Sequence, residues 1–379
     1  MIISNSIKYY IFAISLILFQ FAGYTPYTLP LLALAAILLF SVDTFIYQIR
    51  TIPVFSLFLG ISLLIGIANV IFRDTTSKSI MMWGQFYFFA FFFMGTQHKT
   101  ELISIIKAVV YLIFIADILS NILLAMGFSL PWTAFPPIRP GEFLPRFPGV
   151  KNNTLYSGSI SFLAICCFLH EDIKNKWIKR FIMASMLINL LLAGSFRYYI
   201  ILLAVFLLYK YQFFKHPRLL KSLYFLLVIA VVVMTALTVD ISQSNELRWA
   251  LWERTVGLIL QSPLTGIGFF FQTLKDNTIF TFHNLAMAGV TESTILLIAL
   301  CFGIPVMLLF LYAIYKTLTY YSTYKEYSIE LGLFLGLSLD LFWGGSLDNC
   351  ISLSILLLSL GLINYHGYIV TQAGKYIKK

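Results

Sequence analysis

Charge is what this sequence has least of. Of its 379 residues only 11% are Asp, Glu, Lys or Arg, while 60% are hydrophobic. A soluble domain carries about 25% charged residues, so this chain has too few to cover a water-facing surface. Acids are the scarcer sign, 16 against 26 basic residues. The four cysteines, Cys166, Cys167, Cys301 and Cys350, fall in apolar runs or at a helix start. They have no metal-ligand spacing and read as small buried hydrophobes. There is no internal repeat and no low-complexity segment. The first apolar run lacks a small-residue cleavage site, so it reads as a retained helix rather than a signal peptide. The basic excess is spread over helix ends and forms no single patch, which argues against nucleic acid as a partner.

What is present is a series of apolar runs, each near the roughly 20 residues that cross a bilayer as a helix. They centre on residues 8–23, 29–47, 53–72, 79–97, 103–126, 155–169, 178–194, 198–213, 221–239, 289–314, 330–346 and 349–368. They predict an all-α, polytopic membrane protein with about 12 transmembrane helices, one integral domain over residues 1–379, and the lipid bilayer as solvent. With the N-terminus inside, 17 of the 26 Lys and Arg lie on the inner side and nine outside, as the positive-inside rule requires. The two sides differ in kind. The inner side carries mostly lysines in short loops, whereas six of the nine outer residues are arginines. Arginine presents a rigid fork of donors suited to phosphate, and lysine a compact point charge.

Two outer loops are long enough to suggest function. Residues 127–154 are rich in Pro and aromatics and read as a shaped cap. Residues 240–288 open with a short amphipathic helix, 246–261, whose spacing places Arg248 on the face of Leu251, Trp252, Thr255 and Ile259. A buried arginine needs an anionic or hydrogen-bonding partner, so Arg248 is a ligand candidate. Arg254 falls on another face beside Glu253, either as a ligand or as a surface charge. Ser262-Pro-Leu-Thr-Gly-Ile-Gly268 reads as a turn that folds the loop back onto the bundle.

His283-Asn284 follows, ahead of a helix expected from about Gly289. His283 is the only histidine on the outer side, a candidate general base or a structural residue. Glu292 opens that helix or complements its N-terminus. Arg197 sits in a tight outer turn, either snorkelling to the interface or meeting a lipid-linked phosphate at that level, the second being favoured because the turn is short. Arg146 lies where the first long loop re-enters the membrane. Asn152 and Asn153 beside it bond sugar hydroxyls or cap the next helix. Asp117 and Asp340, acids within apolar runs, keep a transporter in view.

The order of these pieces resembles the O-antigen polymerase and O-antigen ligase superfamily. Arg146-Phe-Pro-Gly-Val-Lys-Asn-Asn153 resembles the family's Arg-x-x-Gly-x-x-x-Asn entry to a helix. Gly194-Ser-Phe-Arg197 resembles its small-residue–Arg turn, with Phe where Ser-Arg or Thr-Arg is usual. Arg248-Trp-Ala-Leu-Trp252 through Gly268 is similar to its Arg-x-x-x-Trp…Pro-x-x-Gly-x-Gly stretch. His283-Asn284 is similar to the His-Asn before a late helix, here one expected to hold Gly303. The likeness covers about residues 140–315.

The resemblance implies an all-helical membrane fold of the GT-C kind in a bacterial inner membrane. It implies a glycosyltransferase that uses no metal and no cofactor, works at the periplasmic face, and takes undecaprenyl-diphosphate-linked oligosaccharide as donor. Arg197 and Arg248 would hold the diphosphate, and His283 would be the base for the acceptor hydroxyl. Arg146, Asn152, Asn153, Arg254, Asn284 and Glu292 would bind substrate. A chain-length regulator protein is an implied partner. A polymerase is favoured over a ligase acting on lipid A-core. A lipid-linked oligosaccharide flippase is the reading from a different class.

Overall fold

Without water to bond to, a backbone must satisfy its own N–H and C=O groups, and a helix does so within one segment. The apolar runs of this chain accordingly fold as helices. The computed structural model describes residues 5–20, 25–72, 77–96, 98–128, 130–131, 145–151, 153–169, 171–211, 215–237, 243–268, 279–282, 285–288, 293–321, 329–344 and 350–377.

The first six helices are α1 (Asn5–Gln20), α2 (Thr25–Leu39), α3 (Val42–Thr51), α4 (Pro53–Phe72), α5 (Ser77–Gly95) and α6 (Lys99–Ala125). After the first long loop come α7 (Thr154–Phe168), α8 (Lys176–Ala193), α9 (Phe196–Lys210), α10 (Pro217–Leu237) and α11 (Gln243–Gln261). A short antiparallel hairpin follows, β1 (Ile279–Phe282) with β2 (Leu285–Ala288), pairing Ile279 with Ala288 and Phe282 with Leu285. The chain closes with α12 (Thr294–Phe302), α13 (Ile304–Tyr321), α14 (Ile329–Trp343) and α15 (Cys350–Ile377).

Among the described residues, three helical stretches are long and apolar enough to cross a membrane: Pro53–Phe72, Lys99–Ala125 and Arg218–Leu237. At 1.5 Å per residue, 20 residues give about 30 Å, the thickness of the hydrocarbon layer. Shorter apolar helices, among them Thr154–Phe168 and Gly332–Trp343, pack between them. The polarity of the bundle is turned inside out. Leu64, Ile71 and Phe72 are 69%, 67% and 82% exposed, whereas Asn121, Ser161, Asn189 and Asp340 are buried. So large an apolar exterior fits lipid rather than water, and the protein has the make-up of a membrane protein.

The expected helix over 29–47 is two helices. Ser41 breaks it: its N–H donates to Gly95 O at 2.9 Å, and its hydroxyl caps α3 by accepting from Thr44 N–H. The expected helix over 289–314 is also two. It starts at Thr294, capped by Ser293, and stops at Gly303, whose φ of +90° suits glycine. The hairpin was not foreseen; its eight residues lay within the long outer loop. Centrally, α15 packs on α5, α6, α13 and α14, while α4 packs on α13 and α7 on α6 and α8. Aromatic rings fill the interior, as where Phe58 meets Phe310 and Trp83 meets Phe302.

Candidate active site at the arginine end of the bundle

The ends of the longer helices fall at two poles. Lysines mark one pole: Lys107 pairs with Glu171, and Lys179 Nζ donates to Glu171 O at 2.7 Å. The other pole collects the ends of α4, α6, α8 and α14 and the starts of α7, α9 and α12. Arg146, Arg197 and Arg248 all belong to it.

Arg197 lies in the first turn of α9 and is buried. Gly194 caps α8 with φ +61°, so the chain reverses at once and α9 begins two residues later. A charge buried at that depth must be compensated. Asp340 on α14 does so, with Oδ1 3.3 Å from Arg197 Nε. Arg197 Nη2 donates to Tyr198 Oη at 3.2 Å, and that hydroxyl donates to Asp340 Oδ2 at 3.3 Å. The Tyr198 ring stacks on Phe162 of α7. The guanidinium lies against Gly344, where a Cβ would collide with it. Asp340, Tyr198 and Gly344 together fix its plane.

Arg146 comes to the same turn. Its stem crosses Gly194, where a Cβ would stand 2.6 Å from Arg146 Cγ, and Phe147 N–H donates to Leu192 O at 2.9 Å. A buried polar cluster holds the loop down. Gly149 N–H donates to Asn121 Oδ1 at 2.9 Å, and Val150 N–H to Asp117 Oδ1 at 3.0 Å. Asp117 Oδ2 also accepts from Ser157 at 2.5 Å and from Asn189 Nδ2 at 3.2 Å. Asn121 Nδ2 donates to Asn189 Oδ1 at 2.9 Å. Four polar side chains from α6, α7 and α8 thus clamp two backbone amides. Gly149 has φ +65°, and a Cβ there would run into the Asp117 carboxylate. Asn153 caps α7, its Oδ1 accepting from Leu155 N–H at 2.9 Å.

Arg248 is on α11, and the expected inward face is inward: Leu251, Trp252, Thr255 and Ile259 are buried. Arg248 itself is half-buried, and Glu253 is exposed. Arg254 is half-buried rather than fully solvated, with its Nε shielded from solvent. Trp252, one turn beyond Arg248, packs against Trp343 with Ile200 and Leu296. Trp343 adjoins Gly344, which supports Arg197. The end of α14 therefore joins the Arg248 helix to the Arg197 turn.

The 262–268 turn folds back onto the bundle as expected. Ile267 and Gly268 N–H donate to Leu300 and Cys301 O at 2.8 and 3.0 Å, and Ile304 N–H donates to Pro263 O at 2.8 Å. The loop satisfies the carbonyls left over where α12 ends. Thr294, at the start of α12, bonds Gly344 O through both its N–H and its hydroxyl.

Asn152, His283, Asn284 and Glu292 lie outside the described residues. Sequence reasoning singled out Asp340 without its partner, and it missed Tyr198, Asn121 and Asn189. Asn121 and Asn189 were detectable as amides inside apolar runs. Among the described residues, no group of three or more His, Cys, Asp or Glu side chains gathers to hold a metal ion. The three arginines stand at the same pole, and a guanidinium is a donor-only group matched to phosphate oxygens. No protein-family model matches the chain, and no curated protein matches it.

Proposed function

We propose that this protein is a polysaccharide polymerase of the O-antigen kind, a glycosyltransferase of GT-C type with about 12 transmembrane helices in a bacterial inner membrane. It transfers a growing glycan from undecaprenyl diphosphate onto a new lipid-linked repeat unit at the periplasmic face. The observation that carries this reading is the convergence at one pole. Arg197 is held by Asp340, Arg146 lies over Gly194, and the Arg248 helix packs on Trp343. That pole is where a diphosphate at the membrane surface would sit.

In the reaction the acceptor hydroxyl attacks the anomeric carbon of the donor sugar. The new glycosidic bond forms as the sugar–diphosphate bond breaks, and the lipid diphosphate leaves with the electron pair. Arg197 and Arg248 bind its oxygens and stabilise the charge that develops there. His283 takes the hydroxyl proton. Arg146, Arg254, Asn152, Asn153, Asn284 and Glu292 border the substrates, and residues 127–154 exclude water, whose attack would waste the donor. A chain-length regulator is the expected protein partner. The buried acids offer a flippase little support, because Asp340 serves Arg197 and Asp117 serves the loop clamp.

The test uses cells that make a long surface polysaccharide. Arg197→Ala or Arg248→Ala, inserted at normal levels, is expected to leave single repeat units. Unchanged chain length rejects the assignment. Long chains stranded on the lipid carrier would identify a ligase, and lipid-linked units trapped on the cytoplasmic side a flippase.

A further inference from the structure

At the lysine pole, opposite the arginines, a cleft of about 230 Å³ opens where α3 meets α4 and continues between α13 and α15. Lys316, Pro53, Val54 and Tyr312 line its accessible side, and the buried Thr51, Ile52, Phe55 and Asn364 lie behind them. Three lysines of this pole are committed to protein oxygens: Lys107 to Glu171, Lys179 to Glu171 O, and Lys99 to Thr96 O at 2.6 Å. Lys316 is half-buried and differs from them, as does Lys221, whose ammonium stands 4.1 Å from the Tyr315 ring centroid. Among the described residues Lys316 has no ion pair or hydrogen bond, and its ammonium stands 5.5 Å from the Tyr312 ring centroid. An ammonium unmatched by any carboxylate remains available to an anion.

The cleft is amphipathic in the sense of a lipid: one cation, Lys316, beside the accessible apolar surface of Pro53, Val54 and Tyr312. Ligand pockets commonly span about 300–1,000 Å³, so this one fits a headgroup and the start of a chain rather than a whole lipid. Lysine-rich helix ends face the inner leaflet, and that leaflet carries the anionic lipids.

We propose that this cleft is a binding site for an anionic phospholipid, with Lys316 on the phosphate and the acyl chain leaving over Pro53 and Val54. The site is independent of the arginine pole and does not rest on polymerase activity. Native mass spectrometry of the full-length protein, released from detergent with phosphatidylglycerol or phosphatidylcholine added, tests it. Phosphatidylglycerol is expected to bind more tightly than phosphatidylcholine by about fivefold, the effect of one lysine near a membrane surface. Lys316→Gln should abolish that preference, Lys316→Arg should keep it, and Lys210→Gln, at an exposed lysine of the same pole, should leave it intact. Equal retention of both lipids by the unaltered protein overturns the proposal. So does an undiminished preference in Lys316→Gln. Displacement of the lipid by an equal concentration of glycerol phosphate overturns it too, since the ligand would then be a soluble phosphate.

Discussion

Arg197 and Asp340 come from helices far apart in the chain, yet each is buried against the other, 8% and 1% exposed. Removing one member of such a pair leaves an uncompensated charge and costs about 3–5 kcal/mol. Asp340→Ala is therefore expected to lower the thermal midpoint of the purified protein markedly. The double change Arg197→Met with Asp340→Leu removes both charges. It is expected to recover most of that midpoint while making no polymer, which separates folding from chemistry. Long polymer from the double variant would exclude Arg197 from the site. The clamp on the 145–151 loop gives a second residue-scale test. Asn121→Ala deprives Gly149 N–H of its acceptor, at about 1–3 kcal/mol, and trypsin should then cut after Lys151 faster than in the unaltered protein. An unchanged rate would mean that Asp117 alone holds the loop. Periodicity was enough to read the inward face of α11, because that face repeats within one helix. The Arg197–Asp340 pair and the Asn121–Asn189 contact join different helices, and spacing along the chain carries no record of them.

At the scale of elements, hydropathy found the apolar runs and overlooked the breaks within them. Residues 289–314 are apolar almost throughout, yet the helix stops at Gly303. The break depends on a backbone angle and on a loop that arrives from elsewhere. At Gly303 a Cβ would collide with Leu264 O. Gly303→Val should push the 262–268 loop off the end of α12, and hydrogen exchange at the Ile267 and Gly268 amides should rise steeply. Continued protection of those amides would show that the loop is held by other contacts. Ser41 acts likewise between α2 and α3: a single polar residue ties the chain to Gly95 O and turns it into an amphipathic helix.

For the whole molecule, the segregation of lysine and arginine was legible from sequence, because charge at helix ends is a one-dimensional property. How the ends assemble was not, since it depends on which helices are neighbours. The proposed orientation has a direct check. Leu264 and Trp177 are 73% and 77% exposed and lie at opposite poles. A cysteine at Leu264 should react with an impermeant maleimide in intact spheroplasts, and one at Trp177 only after lysis. Cys166, Cys167 and Cys301 are buried and should stay silent. The reverse pattern would invert the topology and remove the arginines from the periplasmic face.

The bonds from Ile267 and Gly268 to the end of α12 also bear on how the chain is built. Residues 262–268 are synthesised before residues 294–302. When α12 emerges from the ribosome, the amides that will close its carbonyl end already exist. A nine-residue helix is too short to span a bilayer by itself, and its carbonyl end is closed by that earlier segment. The order of synthesis therefore lets α11 and its turn be in place before the short helix docks onto them.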